Sequence, residues 1–101
     1  MKLELEAGTV IDNATEADIR SRVPGQAFAI LSETADSYVQ CAKQEYDAGD
    51  YALEYQDGSL AQHFSATDDS ITVERVVKAF IAYLHREASW RNEFNWERVK
   101  L

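Results

Sequence analysis

Residues 27–66, AFAILSETADSYVQCAKQEYDAGDYALEYQDGSLAQHFSA, decide the fold. Four runs within it, AFAILSE, SYVQCAK, DYALEYQ and SLAQHFSA, are rich in aliphatic and aromatic residues and are parted by ETAD, QEYDAGD and DG. Side chains of a strand point alternately to its two faces, so apolar runs of period two with short turns between them read as an antiparallel meander. Asp57-Gly58 is the sharpest turn signal, because the pair tolerates the positive φ that a tight hairpin needs. On the third run Tyr51, Leu53 and Tyr55 share a face. On the fourth, Leu60, Gln62 and Phe64 oppose Ala61, His63 and Ser65. We therefore expect Tyr51, Leu53, Tyr55, Leu60 and Phe64 on the core side. Tyr38, Gln40, Glu54, Gln56 and His63 are expected on a wet face, with His63 exposed.

Toward the N-terminus, Lys2 to Glu6 alternates apolar Leu3 and Leu5 with charged neighbours, which reads as a short edge strand. Two cap signatures then compete, Asn13 with Glu16 and Thr15 with Asp18, ahead of a helix over Glu16 to Val23 that Pro24-Gly25 stops. Toward the C-terminus, Val73, Val76, Val77, Phe80, Ile81 and Leu84 recur at helical spacing, with Thr72 or Ser70 as cap and His85 and Arg86 suited to the helix end. The tail SWRNEFNWERVKL alternates Trp96, Arg98 and Lys100 with Glu97, Val99 and Leu101, a terminal strand. The expectation is one α+β domain over residues 1–101: an antiparallel meander sheet of four to five strands with two helices, the longer packed on one face. Sheets of this kind can leave the other face wet.

The charge of −8 is segregated along the chain. Residues 33 to 69 hold nine carboxylates (Glu33, Asp36, Glu45, Asp47, Asp50, Glu54, Asp57, Asp68 and Asp69) against Lys43, and the remainder is balanced. Such a field influences partner choice and association rate. It repels phosphates, which disfavours direct nucleic acid binding. No apolar run approaches the roughly 20 residues of a membrane span, and no signal peptide is evident at the start. With Cys41 as the sole cysteine, no internal disulfide forms, and a cytoplasmic location is expected.

Catalytic spacing is sparse. Cys41 sits mid-strand among acids, a setting for a buried, inert thiol. His63 and His85 lack the partners of a metal site, the serines lack a nucleophile elbow, and the four glycines form no phosphate loop. Glu45, Asp47, Asp50 and Glu54 suggest calcium only weakly, because the alternating loop pattern and the terminal bidentate Glu are missing. No cofactor or metal is expected, and an enzyme is disfavoured. Trp90, Phe94 and Trp96 have two readings: an anchor patch for a partner or a second copy, or a lid over a small core. Tyr38, Tyr51, Tyr55, Tyr83 and Trp90 are the candidates to line a small-ligand pocket between sheet and helix.

The strings FAILSE, SYVQCA, YALEYQDGSLAQHF and VERVVKAFIAYL, followed by the W-R-x-x-F-x-W-E tail, resemble a family of small bacterial α+β proteins. The layout is also similar to immunity proteins of the Imm1-like type, small inhibitors encoded beside bacterial toxins. Neither resemblance supplies a site residue; the nine-to-one charge segregation and the lack of catalytic spacing point instead to a non-enzymatic interaction module, an inhibitor or immunity-type protein that binds a basic protein surface through the acidic hairpin region. The residues themselves nominate Glu54, Asp57, His63, Tyr38, Trp90 and Trp96 for partner binding. The alternatives are a small-ligand-binding domain and a structural protein that forms homodimers.

Overall fold

In a computed structural model, which describes residues 1–44 and 50–100, the alternating runs form one antiparallel sheet of seven strands. In chain order the elements are β1 (Lys2–Leu5), β2 (Val10–Ile11), α1 (Glu16–Arg22), β3 (Phe28–Thr34), β4 (Ser37–Lys43), β5 (Tyr51–Asp57), β6 (His63–Ala66), α2 (Val73–Leu84) and β7 (Trp96–Arg98). Their spatial order is β2-β1-β3-β4-β5-β6-β7. The α+β class is as expected, but the strand count is seven rather than four to five. Val10–Ile11 pairs on the outside of β1, so β1 is an interior strand and not the edge. Two residues show no alternation, which is why the sequence carries no sign of β2. The turn at 44–50, and with it the calcium set that needed Glu45 and Asp47, lies largely outside the described residues.

Register fixes the two faces. Leu3, Leu31, Val39, Tyr55 and Phe64 stand in one row across five strands, and Leu5, Ala29, Cys41 and Leu53 in the next. These rows face α1, α2 and the 3-10 turn Ser89–Glu93, and together they form the core. α1 starts with a capping box: Thr15 Oγ1 accepts from the Asp18 amide, and the Asp18 carboxylate accepts from the Thr15 amide. Thr15 thus prevails over Asn13. Ile19 and Val23 are fully buried beneath the helix. α2 matches its expected limits, with Thr72 as cap. It turns Val76, Ala79, Phe80 and Tyr83 inward, leaving Val73, Val77 and Ile81 half-buried along its flank. The apolar arc is therefore rotated toward Ala79 and Tyr83 relative to the sequence reading. Full burial of each large apolar side chain contributes about 1.5–3 kcal/mol, so Phe80 and Leu53, both at 0% exposure, anchor helix to sheet.

The Asp57-Gly58 turn is real, with Gly58 at φ +85°, but it does not close a tight hairpin. The chain runs through a 3-10 turn, Leu60–Gln62, before β6 begins at His63. Leu60 is consequently 58% exposed instead of core-facing. The 3-10 turn breaks the strand period before it reaches Leu60. Phe64 retains its expected side, stacked on Tyr55 at 5.1 Å between ring centroids.

Part of the acidic block meets cations in the fold. Glu33 pairs with Arg86, Asp57 with Arg91 at 3.6 Å, and Asp68 with Arg75 at 3.1 Å, so cations from the α2 end of the chain meet acids from the middle. Asp50 accepts from the Ile71 amide at 2.6 Å. No helix among the described residues is long and apolar enough to cross a membrane.

Candidate functional site

Because both helices lie on one side, the opposite face of the sheet is bare of any helix among the described residues. Alternation and register bring Tyr38 and Gln40 of β4, Glu54 and Gln56 of β5 and His63 of β6 together on it. His63 and Gln56 are only 8% and 4% exposed and are the buried polar residues among those described. The expectation that His63 is exposed is thus overturned. Its neighbours bury it, and a polar group taken from water must be hydrogen-bonded.

The network is well connected. His63 Nε2 lies 2.6 Å from Glu54 Oε1, and Nδ1 lies 2.9 Å from Gln56 Oε1. Gln56 Nε2 donates to the Asp36 carbonyl at 3.1 Å, which fixes the orientation of its amide and leaves Oε1 as an acceptor toward the ring. Both ring nitrogens therefore lie against acceptor oxygens. Gln40 Nε2 also donates to Glu54 Oε1, at 3.3 Å, and the Tyr38 hydroxyl donates to Gln56 Oε1 at 3.2 Å. Burial, with the nearby Glu54 and Asp36 charges, raises the Tyr38 phenol above its ordinary value, so it acts as a donor. With both ring nitrogens engaged, the cluster is held in one arrangement on the sheet face.

Beside this network the face turns apolar. Ala42 and Ala52 are paired across β4 and β5, with Phe28 next to Ala42 on β3. Ile30, Gln40 and Glu54 fill the adjoining row. The two small side chains leave a depression of about 180 Å³. Phe28 is 41% exposed at its rim, and Val10 is 50% exposed on the same face. For Phe28 and Ile30 the sequence does carry a signal. FAIL is apolar at every position, whereas a strand with one wet face should alternate.

Three of the nominated residues, Tyr38, Glu54 and His63, converge on the bare face. The others do not. Trp90 is 4% exposed inside the helical layer, in edge-to-face contact with Tyr55, Tyr83 and Trp96. Trp96 packs over Tyr55 at 4.7 Å, and its indole N–H donates to the Arg91 carbonyl. Trp90 closes the core and Trp96 packs against it half-buried, as a domain this small needs of its large aromatics. Asp57 is exposed on the helical side, beside Arg91, whose guanidinium stacks over Tyr55 at 4.4 Å. The tyrosine-lined pocket also dissolves. Tyr38 stands on the opposite face from Tyr51, Tyr55 and Tyr83, and those three are buried in the packed core. Burial, with Glu33 nearby, pushes the Tyr83 phenol up to about 12. Cys41 is buried as expected, and burial pushes its thiol up to about 12. Among the described residues no cluster of His, Cys, Asp and Glu is arranged to hold a metal ion.

Comparison of the chain with family models, curated proteins and solved structures returns no match.

Proposed function

We propose that this chain is a non-enzymatic protein-interaction module that docks the bare face of its sheet onto a basic protein surface, as an inhibitor of the immunity type does. The observation that supports this reading is the composition of that face. Apolar Phe28 and Ile30 border a depression, with exposed Val10 farther out on the same face, next to a side-chain network already fixed by its own hydrogen bonds. Such a surface loses little entropy on docking, because its polar groups are ordered beforehand. Glu4, Glu54 and Glu97 share this face with Lys2, and the chain carries −8 overall, which complements a basic partner. The layout resemblance to Imm1-like inhibitors agrees with this role. The acidic middle third acts through Glu54, while Glu33, Asp57 and Asp68 pair with the chain's own arginines.

Affinity capture from the source cells at low and high salt tests the proposal when the bait is wild type, Phe28→Asp or Lys78→Asp. A basic protein should be retained by wild type and Lys78→Asp, lost with Phe28→Asp, and weakened by salt, since exposed charges are screened beyond about 8 Å at physiological ionic strength. A capture indifferent to Phe28→Asp, or none at either salt, would sink the proposal.

A further inference from the structure

We propose that the depression beside Phe28 is a slot that reads one basic side chain of the docked protein, an arginine above all. This inference rests on the docking reading and names what that surface recognises. Ala42 and Ala52 form its floor, Phe28 and Ile30 an apolar wall, and Gln40 and Glu54 its polar end. One carboxylate oxygen, Glu54 Oε1, is taken up by His63 Nε2 and Gln40 Nε2. Among the described residues the other oxygen, Oε2, has no hydrogen-bond partner, and a third of the Glu54 side chain remains exposed. An acceptor held in place by its twin oxygen, at the end of an apolar trough, suits a long side chain with an apolar stem and a cationic head.

Arginine meets each requirement. Its methylenes lie over the alanines and against the Phe28 and Ile30 side chains, and its planar head donates to Oε2. Lysine fits less well, because its ammonium is a point charge, more strongly hydrated and without the fork geometry. A carboxylate would meet Glu54 repulsively, and a purely apolar side chain would leave Oε2 stripped of water without a donor. Lys2, the cation on the same face, is already paired with Glu4 at 3.2 Å.

The test uses the full chain and small probes. Backbone amide NMR shifts are followed while N-acetyl-arginine methylamide is added to roughly tens of millimolar, the range in which one side chain binds measurably. The lysine and citrulline analogues serve as comparisons. Saturable shifts centred on Phe28, Ala42, Ala52 and Glu54 are expected with arginine, weaker ones with lysine and none with neutral citrulline. Ala52→Leu, which fills the floor and leaves the Glu54–His63 pair intact, should abolish binding, and Glu54→Gln should weaken it about ten-fold, the loss of one charge-assisted contact. Equal response to citrulline, diffuse unsaturable shifts, or wild-type binding by Ala52→Leu would overturn the slot. A partner captured through Phe28 but indifferent to Ala52→Leu overturns the slot while docking stands. Arginine binding without any partner on this face supports the slot's chemistry and refutes docking.

Discussion

Replacing His63 by alanine should destabilise the protein by about 2 kcal/mol, and the loss should be coupled to Glu54. His63 is 8% exposed and makes a 2.6 Å contact with Glu54. A hydrogen bond to a charged group contributes about 1.5–3 kcal/mol when buried. Glu54 keeps a third of its side chain in solvent, which screens the pair and moves the estimate to the lower half of that range. Gln56 Oε1 retains the Tyr38 hydroxyl, so no buried acceptor is orphaned there. The lost ring packing against Tyr38, at 6.0 Å between centroids, brings the total back to about 2 kcal/mol. For a domain of about 100 residues each kcal/mol lowers Tm by about 4–8 °C, so a fall of about 8–16 °C is expected. The assay is urea denaturation of wild type, His63→Ala, Glu54→Ala and the double variant, with m-values compared to confirm two-state unfolding. Residues in one network should show a coupling of about 1 kcal/mol. Strict additivity, or a loss below about 0.5 kcal/mol for His63→Ala, would refute the reasoning, because values that small are typical of surface positions.

Asp68 sets an acid-side limit on stability. Partial burial pushes its carboxyl up, but the Asn95 amide and the Arg75 guanidinium outweigh this and hold it below the usual carboxylate range. A group with a depressed folded pKa contributes stability above its unfolded value, about 3.9, and loses it as pH falls through the folded value. Asp68→Asn should therefore flatten the acid limb of stability against pH, and an unchanged limb would contradict it. The Cys41 thiol, buried and raised to about 12, should react with a thiol reagent at neutral pH only as fast as the chain opens. Rapid labelling in native buffer would contradict that assignment. Phe80→Ala, at a fully buried site on the inner face of α2, should cost about 3–5 kcal/mol in urea titrations.

How much could be read from sequence depended on how local the determining interaction was. β3 to β6 and α2 declared themselves through periodicity, and α1 through the Thr15-Asp18 box. β2 was invisible because Val10–Ile11 is too short to alternate, and Leu60 was misplaced because a 3-10 turn interrupts the period. The polar network was half legible: parity placed Tyr38, Gln40, Glu54, Gln56 and His63 on one face, but the burial of His63 depends on cross-strand partners. The pairing of part of the acidic block was hidden for the same reason. Arg75, Arg86 and Arg91 lie far along the chain from most of the acids they meet, and only the folded sheet brings Glu33 to Arg86 and Asp57 to Arg91. Short edge strands, β2 with two residues and β7 with three, also leave little ladder for a second copy to extend.

The docking claim is tested most directly by placing a photo-reactive phenylalanine analogue at Phe28 on the bare face, or at Lys78 on α2, and irradiating the source cells. A discrete adduct with a basic protein is expected from position 28 and none from position 78. An adduct from position 78 alone, or identical adducts from both, would contradict it.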